Sequence, residues 1–271
     1  MHTHTNKSDG ENLPEKVLNI YEKMGYTFLA ITDHGIISDP DEYNTKLILF
    51  SGIEADCKGA RHACIINMSK NNIIYSPEHS HQKLIDENIN KGSIVVLNHP
   101  DWELKEHYPI DELYSVHNYH GIEIYNSVIE RLSGTPLSSA KWDKLLSEGK
   151  KILGFANQDS HKQGDYLDCC NVVRIKNVTK KDIFESLITG NFHCYYGVEI
   201  IDVGRNGNEI FIKTKNAKLI RFIGFGGIVL KKIKSNEARI KFADDTVYRY
   251  IRIECLGVGE KISWTQPFFR E

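Results

Sequence analysis

The chain has 271 residues, with 34 Lys and Arg against 36 Asp and Glu for a net charge of −2, 41% apolar residues and six cysteines. Balanced charge gives no basic field to attract nucleic acid or an anionic membrane surface, no apolar run is long enough to cross a bilayer, and no secretory apolar segment opens the chain. A chain of this length buries a core without disulfide staples, and no C-x-x-C pair occurs, so Cys57, Cys64, Cys169, Cys170, Cys194 and Cys255 are expected as free thiols of a cytoplasmic protein.

In chain order, MHTHTNKSDG comes first. In an extended segment His2 and His4 point the same way, which is a chelating arrangement. LPEKVLNIYEKMG follows as a helix: Pro14 and Glu15 open it, Val17, Leu18, Tyr21 and Met24 recur at helical spacing, and Gly25 stops it. TFLAITDHG reads as a buried strand and turn, and LILFSGIEAD, HACIINM, SIVVLNHPD, GIEIYNS, KILGFANQDSH and CNVVRI as further strands. Helices are predicted at about His81–Asn90, Thr135–Glu148 and Lys180–Thr189. Alternating βα units predict a mostly parallel sheet, open or closed as a barrel.

Polar residues fall directly after the apolar runs: Asp33 and His34, Glu54, His99, Asp159 and His161. At the C-terminal ends of parallel strands, such residues converge on one rim although they are scattered in sequence. Asp159 and His161 repeat the i, i+2 geometry of the opening pair. Glu54 offers a carboxylate able to bridge two cations. Nitrogen and oxygen donors without cysteine suit zinc, manganese or iron better than a thiolate site. Eleven of the twelve histidines precede residue 162, so this chemistry belongs to the first part of the chain.

Beyond about His193 the pattern becomes short β-branched and aromatic runs separated by Asn-Gly, Gly-Gly and Asp-Asp turn signals, with RNGNE as a hairpin. This predicts a small all-β appendage, and a division into residues 1–195 and 196–271. GFGG follows a strand but lacks the helix and Lys-Ser/Thr of a phosphate loop.

HTH with its trailing SDG, then TDHG, GIE, NHPD and QDSH stand in an order that resembles the polymerase and histidinol phosphatase (PHP) superfamily over roughly the first 190 residues. GNFHCYYG and ISWTQPFF resemble the β appendage of one branch, which includes phosphoesterases and carbamate-hydrolysing relatives. The resemblance implies a distorted (βα)7 TIM-like barrel with two to three divalent metal ions (Mn, Fe or Zn) at its rim. His2, His4, Glu54 and Asp159 would hold one; Glu54, His62 and His99 a second; Asp9, His34 and His161 a third. It implies hydrolysis of a small-molecule phosphoester through a metal-bridging hydroxide, with Glu54, Asp159 and His161 as the catalytic residues. The alternatives are a metal-dependent carbamate, amide or ester hydrolase, and a non-catalytic metal-binding module.

Three features depart from the family pattern: only Met1 precedes HTH, which places an α-amino group near the first metal or marks a shortened chain; His79 and His81 rival His62; and Asp9 stands where some members have His, shifting preference toward manganese or iron. Asp33, facing away from His34, is read as accepting an imidazole N–H, with turn capping as the ordinary alternative. Arg61, Arg131 and Lys162 are candidates for gripping an anionic substrate, against the usual reading of a solvated loop charge. His107, His117, His120 and His193 read as solvated or internally satisfied, Tyr125 and Asn126 as strand-end residues that either reach the site or pack, and Trp264 as a β-core anchor.

Overall fold

The computed structural model describes residues 1–59, 61–104, 107–242 and 249–270. Five α-helices are present among them: α1 (Pro14–Lys23), α2 (His81–Asn90), α3 (Ile110–Ser115), α4 (Ser139–Ser147) and α5 (Lys180–Thr189). The local chemistry explains their ends. Pro14 sits in the first turn of α1, Val17, Leu18 and Tyr21 form its buried stripe, and Gly25 takes a φ of +81° beyond its end. Ser80 and Thr179 cap α2 and α5 by accepting from Lys83 N and Asp182 N.

The first sheet runs β1 (Phe28–Ala30), β2 (Ile48–Cys57), β3 (Arg61–Asn67), β4 (Ile94–Leu97), β5 (Gly121–Asn126) and β6 (Leu153–Asn157), in that spatial order. Its pairs β1–β2, β4–β5 and β5–β6 are parallel, but β3 is antiparallel to both neighbours. The expected (βα)7 TIM-like barrel is therefore incorrect. Too few residues separate Cys57 from Arg61 for a crossover helix, and the sheet is a mixed half-barrel. The far edge of β6 meets side chains in place of a strand. The Asn171 amide bonds both Ala156 N and Ala156 O at 3.0 Å, and the Gln266 amide bonds Gly154 N at 2.9 Å and Gly154 O at 2.8 Å. These amides satisfy the edge, as buried backbone requires.

Sixteen strands in three sheets make the described chain mostly β. The remaining strands are β7 (Cys170–Val173), β8 (Phe192–Tyr195), β9 (Ile200–Asn206), β10 (Glu209–Thr214), β11 (Leu219–Ile223), β12 (Val229–Ile233), β13 (Glu237–Lys241), β14 (Tyr250–Leu256), β15 (Ile262–Thr265) and β16 (Phe268–Phe269). One sheet is β13-β10-β9; the other runs β12-β11-β14-β15-β8-β7, with β16 on β14. The RNGNE segment turns between β9 and β10 with Gly207 at φ +56°. The Asp-Asp signal at 244–245 lies outside the described residues. Trp264, fully buried, pairs with Cys194 across β15 and β8, so residues on both sides of position 195 share one sheet. All six cysteines are free. No helix among the described residues is long and apolar enough to cross a membrane.

Candidate metal centre

The candidate donors arrive on strands and on the segments that follow them. The segment His2–Thr5 lies between the continuations of β1 and β6: Asp159 N donates to His2 O, His4 N to Ser160 O and Thr32 N to Thr3 O. Thr3 points the other way, against Ser160 Oγ at 2.5 Å, which leaves both imidazoles on the inner side. Glu54 lies on β2 and His62 on β3, His99 follows β4, and Asp159 and His161 follow β6. His99 and Asp159 have φ of +31° and +53°, a region disfavoured for side chains of this kind and one that recurs at functional sites.

Glu54 is buried at the middle. Its Oε2 lies 3.0 Å from Nε2 of His2, 3.0 Å from Nε2 of His4 and 3.3 Å from Nε2 of His34. Its Oε1 lies 3.2 Å from His62 Nδ1 and 3.2 Å from His99 Nε2, and accepts from Asn98 Nδ2 at 2.7 Å. Asp159 Oδ1 is 3.1 Å from both His2 Nε2 and His4 Nε2. On the outer side, Asp9 Oδ2 lies 3.3 Å from His161 Nε2 and 3.8 Å from His34 Nε2.

His99 Nε2 and Asn98 Nδ2 meet Glu54 Oε1 in hydrogen bonds, but several other polar atoms at the centre do not pair this way. His2 Nε2, His4 Nε2, His62 Nδ1, His99 Nδ1 and Asp159 Oδ1 are all buried without a hydrogen-bond partner, an arrangement proteins avoid unless another partner is intended. A tetrahedral ion with bonds of about 2.0 Å separates its ligand atoms by about 3.3 Å, close to the spacings seen. Three of the imidazoles also have their second nitrogen tied by a carboxylate. His2 Nδ1 lies 2.8 Å from Glu123 Oε1, and one oxygen of Asp56 lies 3.1 Å from His34 Nδ1 and 3.0 Å from His62 Nε2. His161 Nδ1 donates to Asp159 O at 2.8 Å. Tying one ring nitrogen turns the lone pair of the other inward, as in metal-binding histidines. The residues present thus fit divalent cations in overlapping groups: His2, His4, Glu54 and Asp159; His34, Glu54 and His62; His62, His99 and His107; and His4, Asp9, His34 and His161.

Electrostatics agree with the donor set. Burial opposes a charge on His2, yet Asp159, Cys64, Glu54 and Glu123 together hold its pKa well above the ordinary value. Burial likewise opposes charge on His4, but hydrogen bonds to Asp159 and Glu54 raise it to about 10. Burial works against ionisation of Asp159 and Glu54, and the surrounding imidazoles still hold both well below the carboxylate range. A group of carboxylates that draws protons onto imidazoles draws a divalent cation by the same field.

Asp33 accepts from Thr5 N and Thr5 Oγ1, each at 2.7 Å, and from Ser8 Oγ at 2.8 Å, so it fixes the backbone beside His4 and touches no imidazole. Arg61 pairs with Glu112 at 2.6 Å and Arg131 bonds both oxygens of Asp165 at 2.7 and 3.0 Å. Asp165 also accepts from His161 N and Lys162 N, which anchors the loop bearing His161, while the Lys162 side chain is exposed. His79 and His81 stand beside Glu87 and Glu112, away from the donor groups. Asn126 Nδ2 reaches Glu123 Oε2 at 2.7 Å and Asp159 Oδ2 at 3.2 Å, whereas Tyr125 stacks on Tyr196 with ring centres 4.7 Å apart.

Sequence reasoning set His107 aside and passed over Glu123, Asp56 and Asn98. His107 is buried, 4.7 Å from the His99 ring and 4.9 Å from that of His62. Its pKa is pushed down to about 2, first by burial and then by its imidazole neighbours. Asn98 abuts the recognised histidine of NHPD, a signal that was available; Glu123 lies inside an apolar strand and carried none.

No family model and no curated protein matches this chain. Among solved structures, it is similar to a crystal structure of a “putative metal-dependent phosphoesterase” from Bifidobacterium adolescentis. The alignment has 14% identity and a TM-score of 0.45, and covers 60% of this chain and 87% of that one.

Proposed function

We propose that the chain is a metal-dependent hydrolase of small phosphoesters, of the PHP type its motifs resemble, using two or three divalent ions of Mn, Fe or Zn. The observation that supports this reading is Glu54, a buried carboxylate with one oxygen toward His2, His4 and His34 and the other toward His62 and His99. Divalent ions among such donors supply Lewis acidity toward a phosphoryl oxygen and bring the pKa of water toward neutrality. His2, His4, Glu54 and Asp159 would hold one ion, Glu54, His62 and His99 a second, and Asp9, His34 and His161 a third.

The other roles belong to this chain's own groups. Asp159 offers Oδ1, the oxygen without a hydrogen bond, as acceptor for a water proton. His161 keeps Nε2 directed at the outer side because Nδ1 is committed to Asp159 O. Lys162, exposed beside it, is assigned to the substrate anion ahead of Arg61 and Arg131, whose guanidinium groups are already matched by carboxylates. We assign the chemistry to residues 1–195 and a supporting role to 196–271.

The test is elemental analysis of protein purified without added metal, followed by parallel assays on aryl phosphates, nucleoside monophosphates and carbamates with Mn, Fe and Zn. Metal-dependent phosphate release is expected. A preference of orders of magnitude for carbamates would replace the phosphoester reading, and metal-free protein that takes up no added ion would end it.

A further inference from the structure

Glu123 is fully buried on β5 between Ile122 and Ile124, themselves buried, just before a register shift in the β5–β6 pairing. Both of its oxygens are saturated. Oε1 takes His2 Nδ1 and Asn157 Nδ2, each at 2.8 Å. Oε2 takes the backbone N–H of His99 at 2.8 Å and Asn126 Nδ2 at 2.7 Å. With all four partners nitrogen donors, only an ionised carboxylate accepts from every one; an amide would turn its own NH2 toward two of them.

The two oxygens serve opposite sides of the centre. The bond to His2 Nδ1 fixes the tautomer that leaves Nε2 free toward Glu54 and Asp159. The bond to His99 N holds a residue whose φ of +31° is disfavoured. We infer that Glu123 is a positioning residue that couples the two poles of the centre, orienting His2 in one and the His99 backbone in the other, so that both lose affinity for cations when it changes. The inference rests on the metal reading above.

The experiment titrates chelator-stripped full-length protein with Co2+, read by calorimetry and visible absorption. His2→Ala and His62→Ala assign the binding steps to the two poles. In Glu123→Gln, both assigned steps are expected to weaken by about 10- to 100-fold, with the circular dichroism spectrum of the folded, metal-free protein retained. Asn157→Ala removes a donor from Oε1 alone and is expected to weaken the His2 step while sparing the His62 step. Titrations of Glu123→Gln that superimpose on the parent protein, or weakening of one step only, overturn the coupling. Should Glu123→Gln fail to fold, Asn157→Ala decides: a selective loss at the His2 step supports the role, and two unaltered steps overturn it. Absence of Co2+ binding by the parent protein overturns the metal reading and this inference with it, whereas normal parent binding with an unaffected variant overturns the inference alone.

Discussion

Two buried polar clusters in this molecule are built on opposite plans. Where α4 meets the C-terminal sheet, Arg252 is buried against Asp143 and Glu254. Its Nε and one Nη reach the two Asp143 oxygens at 2.7 and 2.6 Å, and the other Nη reaches Glu254 at 2.7 Å. The Tyr250 hydroxyl lies 2.8 Å from Asp143 Oδ1, and the guanidinium rests over the Trp142 ring. At the histidine-rich site Glu54 and Asp159 are as deeply buried, yet Nε2 of His2, Nε2 of His4 and Nδ1 of His62 have no hydrogen-bond partner. The first cluster matches cation to anion within the chain, which ties α4 to the sheet. The second leaves several converging donor atoms without a hydrogen bond from the chain. Burial of charge alone therefore does not mark a site; convergence of several buried donors with unspent lone pairs does.

This contrast is open to direct attack. The largest effect is expected from Glu54→Gln, which removes the charge shared by both poles: metal-dependent turnover should fall by about a thousandfold or more, with metal content reduced by elemental analysis and the fold retained by circular dichroism. Asp143→Ala should do the reverse. It strands a buried guanidinium, so urea unfolding should show a loss of about 3–5 kcal/mol while metal stoichiometry of the folded protein is kept; loss of metal with unchanged stability would show that the two clusters are not separate.

A smaller effect concerns pH in chelator-treated protein. His4 is raised from 6.5 to about 10, with burial opposing and Asp159 and Glu54 prevailing. A folded value above the unfolded one stabilises fully below about pH 6.5 and is lost as pH rises through about 10. Metal-free stability should therefore fall across that interval while affinity for added cation rises as protons leave the imidazoles. Thermal melts with and without chelator from pH 6 to 10 check both slopes. The smallest effect is expected at the exposed pair Lys213 and Glu237: Lys213→Ala should leave both unfolding and turnover unchanged within error.

Much of the local structure is legible from the sequence because its signals are local. Helices α2 and α5 lie at the expected positions, with serine and threonine caps, and α1 ends before Gly25 as its spacing implies. α3 was not anticipated: six residues after Pro109, with one buried apolar position, give too little periodicity to read. α4 is shorter than expected, beginning at Ser139 because the residues before it are engaged in β-bridges, Gly134 with Trp102 and Leu137 with Tyr125. Glu123 was missed for a related reason, since a strand buried on both faces shows no alternation to expose an inward carboxylate. His107 was set aside because nothing beside it in the chain distinguishes a histidine packed on imidazoles from one in solvent.

By itself the sequence determined which donors are available and the shared face of His2 and His4, since alternation in an extended segment is a matter of covalent geometry; the φ of +53° at Asp159 takes Asp159 and His161 out of that rule. Tertiary structure decided how the strands assemble and which donors come together. The short link between β2 and β3 forces an antiparallel hairpin, and amides of Asn171 and Gln266 occupy the edge of β6. Pairing direction and edge satisfaction depend on contacts between residues far apart in the chain, so no reading of neighbours along it could have fixed them.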